Sequence, residues 1–158
     1  MNNTEIERKF LVSGDFKGEA VSSSRIRQAY INQVGEHTVR IRIRDEKAFL
    51  TIKGPSFDGG LSRFEWEIGI PVPDAEQLLE LRVTAIIDKR RYLVPFEGHT
   101  FEVDEFYGDN EGLVMAEVEL SDPDEACALP SWLGQEVTGD PRYSNSHLSR
   151  HPFKEWAE

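Results

Sequence analysis

Arg40, Arg42 and Arg44 alternate with isoleucines in "RIRIR". Lys53 in "TIKG", and Lys89 with Arg91 in "DKRRY", extend the pattern to other segments. Guanidinium forks at alternate positions suit phosphate, whose oxygens accept their hydrogen bonds in pairs. A single phosphate does not need so many cations, whereas a di- or triphosphate does. Acids alternate on other segments: Glu5 and Glu7 before Lys9 in "EIERK", Glu65 and Glu67 in "FEWEI", Glu102 and Asp104 in "FEVDEF", Glu117 and Glu119 in "AEVEL". Paired carboxylates suit Mg²⁺ or Mn²⁺, hard cations that take oxygen ligands. Polyphosphate and divalent cation belong together, because the cation neutralises charge at the transferring phosphoryl group.

Spacing of two is strand spacing, so each set of charges shares one face and the apolar residues between take the other. For any one strand, a solvated face is the simpler reading. Two features argue otherwise. The charged positions are Glu and Arg with little Ser, Thr or Gln among them, and the signs are sorted by strand. A row of like charges is unfavourable unless a counter-charge faces it. Closing the sheet would turn the charged face into a channel. Ile6, Ile41, Ile43, Trp66, Val103 and Val118 would then point outward and need cover.

The elements that carry these faces read as strands at 4–12, 24–34, 37–45, 47–54, 61–70, 88–96, 99–107 and 112–120, with turns at 35–36, 45–46 and 97–98. A helix is expected over 71–82, capped by Asp74 with Gln77 three residues on. Residues 122–134, including Cys127, read as short helix and turn. The polar tail 140–152 holds one further short helix. Seven or eight strands in hairpins favour an antiparallel sheet, and closure would remove its edges. Periodicity alone does not choose between barrel and sandwich.

The 158-residue chain has the length of one domain, taken as 1–158. A formal net charge of −11 argues against general binding of nucleic acid or anionic membrane. Cys127 is the single cysteine, which excludes an internal disulfide and a cysteine zinc site. With no apolar leader or long apolar run, a cytoplasmic setting is expected. His37 and His99 fall at turns. His147 and His151 are read as solvent-facing, as are Arg25, Arg27 and Arg90 on the outer parity.

The opening "EIERKFLV" resembles the ExExK signature of the CYTH domain, the triphosphate tunnel metalloenzyme superfamily. "RIRIR", "TIKG", "FEWEI", "DKRRY", "FEVDEF" and "MAEVEL" are similar to that family's later motifs, in the same order. The resemblance covers residues 3–150 and is closest to the small bacterial inorganic triphosphatases. It implies a mostly antiparallel β (α+β) fold, an eight-stranded closed tunnel with a charged interior and a few outer helices. It implies an enzyme, a metal-dependent triphosphatase that hydrolyses inorganic tripolyphosphate, and a Mg²⁺ or Mn²⁺ cofactor. Lys9, Arg40, Arg42, Lys53, Lys89 and Arg91 match the phosphate-binding set, with Arg44 extending the row toward a mouth. Glu5, Glu7, Asp104, Glu117 and Glu119 match the metal-holding acids. Glu65 and Glu67 match supporting acids. Tyr30 stands where a tunnel tyrosine helps Lys9 position water. Arg142, Tyr143, Ser144 and Asn145 resemble a segment that plugs or lines one tunnel end.

Other readings stay open on the sequence. Nucleoside triphosphates and thiamine triphosphate are alternative substrates, and attack by a ribose hydroxyl would make the chain a class IV-like adenylate cyclase. A non-catalytic polyphosphate-binding protein would share the basic rows. Outward Trp66 leaves room for a homodimer.

Overall fold

The computed structural model describes residues 3–156. Its strands are β1 (Thr4–Val12), β2 (Ser22–Val34), β3 (His37–Arg44), β4 (Lys47–Phe57), β5 (Ser62–Ile70), β6 (Ile87–Phe96), β7 (His99–Phe106), β8 (Val114–Glu119) and β9 (Leu133–Glu136). Two α-helices join them, α1 (Val72–Leu79) and α2 (Asn145–Leu148). The strands follow the order β5-β4-β3-β2-β6-β7-β8-β1, and β5 pairs back onto β1, so eight antiparallel strands close a barrel. Closure leaves none of the eight as a free edge. β1 is shared: residues 4–6 pair with β5, and Phe10 and Val12 with β9.

The alternation decides inside from outside. On the outer parity, Phe10, Val94, Phe101, Val103, Ala116 and Val118 pack under Phe16 and Trp132. Ala29, Ile41, Ile43 and Ala48 pack under Ala75 and Leu79 of α1. The apolar layer is therefore a jacket, and the charges face the axis. The β4–β5 sector of this jacket is left bare, with Ile52, Phe64, Trp66 and Ile68 exposed.

One end of the axis is apolar. Leu11, Ile87, Phe106 and Met115 continue the inward parity of Lys9, Lys89, Asp104 and Glu117. They pack with Leu113, Leu148, Tyr143, Phe153 and Trp156, so the C-terminal segment stoppers that end. Two bulges shift the parity elsewhere. The register slips between Tyr30 and Asn32 in β2, and between Lys53 and Ser56 in β4. Gln33 and Ser56 consequently face the same cavity as Tyr30 and Lys53.

Two expectations are corrected and one strand is added. α1 begins at Val72 behind Pro71, with no side-chain cap, so Asp74 lies inside the first turn and the capping box does not form. Pro71 holds φ at −64° and Pro73 lacks the N–H that a cap would satisfy. Residues 122–129 contain no helix. Glu125 there accepts from the Ser121 backbone N–H and engages His99 at 2.5 Å, and Trp132 packs on the outer layer. The following residues form β9, unforeseen because only four residues pair. No helix among the described residues is long and apolar enough to cross a membrane.

Candidate active site

Register fixes which charges meet. Lys53 stands opposite Glu65, Thr51 opposite Glu67, Lys9 opposite Glu117 and Arg91 opposite Asp104. The side chains complete these pairings. Lys53 Nζ lies 2.9 Å from Glu5 and 3.7 Å from Glu65. Lys9 Nζ lies 3.3 Å from Glu117 and donates to the Tyr143 carbonyl at 3.0 Å. Arg40 donates to Thr51 Oγ1 at 3.2 Å, and that hydroxyl donates to Glu67 at 2.8 Å.

Glu5, Glu7, Lys9, Tyr30, Arg40, Lys53 and Glu117 line one cavity of about 400 Å³, bounded on one side by the C-terminal segment. This volume falls in the usual range for small-ligand sites. A second cluster lies against it. Asp104 takes a bidentate pair from Arg91 at 2.8 and 2.9 Å and an ammonium from Lys89 at 2.8 Å. Arg91 also reaches Glu102 at 3.3 Å and Glu117 at 3.6 Å, which links the two groups. Lys89 is fully buried and donates to Asn145 Oδ1 of α2 at 3.0 Å.

The electrostatics of these groups are uneven. Burial would raise Asp104, yet Arg91 and Lys89 together hold its carboxyl far below the usual range. Glu117 is half-buried, and Lys9 and Arg91 bring it down to about 2. Lys89 gains less than its partner, because burial, Arg91 and Arg42 push it down to about 7 against a carboxylate it must share. Arg42 is pushed down to about 9 by burial and by Arg40 and Arg91. Among the described residues, Arg42 has no ion-pair partner, and its Nε donates to the neutral Gln28 Oε1 at 2.8 Å. Glu7 is the converse: burial, Glu117 and Glu5 push its carboxyl well up, and no cation pairs with it among the described residues. The site thus contains a buried cation and a half-buried carboxyl without partners among the described residues, an unfavourable state unless a ligand completes them.

Not every expected residue converges. Arg44 ends its row over the ring of Phe49, 5.2 Å from its centroid, and pairs with none of the acids among the described residues. Glu119 is exposed at a mouth, where burial, Glu5, Glu102 and Glu65 raise its carboxyl. Glu65 and Glu67 join through Lys53 and Arg40. Arg25, Arg27 and Arg90 face outward, on Asp88, Glu76 and Ser23. His147 is less exposed than expected and stacks on His151 with ring centroids 5.1 Å apart. Arg63 on the cavity wall, and Thr51 and Gln28 as partners of Arg40 and Arg42, were overlooked. Parity was their available signal, since each stands two residues from an expected one.

Among the described residues, no set of three or more His, Cys, Asp or Glu is gathered as a metal ligand group. The donor chemistry nonetheless fits a hard divalent cation. Glu5, Glu7 and Glu117 line the same cavity, the first and last of them push the Glu7 carboxyl up, and no cation pairs with Glu7 among the described residues.

A family model described as "CYTH domain" matches residues 3–149. An inorganic triphosphatase of Acetivibrio thermocellus is 48% identical over 155 residues, covering 98% of both chains. An inorganic triphosphatase of Nitrosomonas europaea is 38% identical over 151 residues, covering 92% of this chain and 97% of that one. A crystal structure of an inorganic triphosphatase, 35% identical, superposes with a TM-score of 0.67 over 92% of this chain and 97% of that one.

Proposed function

We propose that this chain, which belongs to the CYTH domain family, hydrolyses inorganic tripolyphosphate with the help of a divalent cation. One observation carries the reading: Arg42 is a buried guanidinium on the barrel axis that no carboxylate neutralises among the described residues. A polyanion would supply its missing counter-charge. The similar proteins of Acetivibrio thermocellus and Nitrosomonas europaea, both named inorganic triphosphatase, support the same substrate.

In this reading Arg40, Arg42, Lys53, Lys89 and Arg91 receive the phosphate oxygens, and Arg44 steers the anion from outside. Glu5, Glu7, Glu117 and Glu119 would hold Mg²⁺ or Mn²⁺, while Asp104 fixes Arg91 and Lys89 in place. Bound there, the cation would offset the charge of the phosphoryl group. Lys9 and Tyr30, on the same cavity wall, orient a water toward the terminal phosphorus. Its oxygen bonds to phosphorus, the bridging P–O bond breaks with its electron pair kept by the pyrophosphate oxygen, the water's proton passes to solvent, and phosphate and pyrophosphate leave. Glu65 and Glu67 keep Lys53 and Arg40 extended. The cytoplasmic setting accords with Cys127 as a free thiol. The bare face of Ile52, Phe64, Trp66 and Ile68 supports self-association, and light scattering that gives only monomer would withdraw that part.

The decisive assay supplies tripolyphosphate, ATP and thiamine triphosphate separately, with Mg²⁺, with Mn²⁺ and with EDTA. Phosphate, pyrophosphate and cyclic AMP are measured. The expected result is metal-dependent phosphate release, fastest from tripolyphosphate. Cyclic AMP from ATP would move the chain to the cyclases, faster hydrolysis of thiamine triphosphate would change the substrate, and tight binding without turnover would leave a polyphosphate carrier.

A further inference from the structure

Gln28 lies on β2 with no exposed surface, between Arg42 of β3 and Ile87 of β6 in the register. Arginine offers donors only, so the Arg42 Nε–H, 2.8 Å away, obliges Gln28 to present Oε1 to it. That orientation commits the other end of the amide. Its Nε2 has no hydrogen-bond partner among the described residues. A buried amide nitrogen without an acceptor for its hydrogens is costly, and such groups are uncommon in folded proteins.

Arg42 shows the same incompleteness. Its Nε is taken by Gln28, and no carboxylate pairs with its terminal nitrogens among the described residues. Two unsatisfied donor groups are therefore held side by side on one pair of directly opposed residues. A neutral amide differs from the surrounding cations in one respect. It can donate to an oxygen without demanding a counter-charge when the site is empty.

We propose that Gln28 is part of the anion site: Oε1 positions the Arg42 guanidinium, and Nε2 donates a hydrogen bond to a phosphate oxygen bound at Arg42. This inference rests on the polyphosphate reading of the site. It assigns a role to a residue outside the alternating charges.

The test is calorimetric titration of tripolyphosphate in EDTA, where turnover does not consume it, together with melting of the ligand-free protein. Gln28→Met removes donor and acceptor; Gln28→Glu keeps the acceptor and the volume but removes the donor. Gln28→Met should weaken Kd by about tenfold, the effect of one hydrogen bond to a charged group. Gln28→Glu should weaken it further while melting at or above the wild-type temperature, since the introduced carboxylate would pair with Arg42. Introduced into Arg42→Met, Gln28→Met should still cost several-fold. Unchanged Kd in both single variants, whatever their melting temperatures, overturns the proposal. So does the absence of further loss in the Arg42→Met background, which would reduce Gln28 to a prop for Arg42. Failure of the wild type itself to bind tripolyphosphate overturns the polyphosphate reading first, and this one with it.

Discussion

Arg42→Met should stabilise the free protein and weaken its ligand. Arg42 falls from its ordinary value to about 9 because burial, Arg40 and Arg91 disfavour its charge. At about 1.36 kcal/mol per pH unit, holding that charge costs the ligand-free fold on the order of 4 kcal/mol. The sign is set by proton counts. Below pH 9 both folded and unfolded chains carry the proton, so the full cost is present at neutral pH. Above it the folded chain releases its proton first and the cost fades. Methionine removes the charge at similar volume but strands the Gln28 carbonyl oxygen, a loss of about 1–3 kcal/mol. The net gain is about 2 kcal/mol, or roughly 4–8 °C in Tm for a chain of this size. Ligand at one hundred times its Kd would stabilise the wild type by about 2.7 kcal/mol, and a tenfold weaker variant by about half that at the same concentration. Scanning calorimetry in EDTA, with and without tripolyphosphate, measures both quantities. A variant that melts below the wild type, or gains equally from the ligand, would refute an unpaired guanidinium waiting for an anion.

Lys89, held near 7, gives a pH signature. Its folded value lies below the ordinary 10.5, so the unfolded chain binds more protons between those values. Stability of the free protein should rise through that window by roughly 4–5 kcal/mol, and urea midpoints for Lys89→Met should lack that rise. Glu119→Ala should leave Tm nearly unchanged, within about 0.5 kcal/mol for an exposed site, yet raise the Mg²⁺ needed for half-maximal turnover; wild-type metal dependence would remove Glu119 from the cation site. Gly60→Ala should destabilise by about 1–3 kcal/mol, because φ is 92° and a Cβ would come within 2.4 Å of the Gly139 Cα. Limited proteolysis should then cut the C-terminal segment faster.

The barrel's inside and outside were legible because charge and period two coincide. Lys53 meets Glu65, Lys9 meets Glu117 and Arg91 meets Asp104 across neighbouring strands. What the pattern could not convey is where the parity slips. Gln33 and Ser56 reach the cavity only because each follows a bulge, which no composition rule marks in advance. Nor does alternation say where the charged interior stops: Leu11 and Met115 share the parity of Lys9 and Glu117 but belong to the apolar stopper. Arg44 sits at such a limit, its row outrunning the acids. Gln28 escaped notice because it is uncharged among charges. The misplaced helix cap had a visible cause in two prolines, whose backbone constraints outweighed the attraction of Asp74 as a cap.

The two bulges bear on how this barrel can diverge. In a closed ring whose faces differ so sharply, one inserted residue in the middle of a strand would send arginines into the jacket and isoleucines to the axis beyond that point. Insertions and deletions are tolerable in the hairpin turns, or within a strand as a looped-out residue that restores the register. The slips at Ile31 and at Gly54–Pro55 have that form. They read as places where chain length can change without inverting the walls, so length variation among relatives should collect there and at the turns.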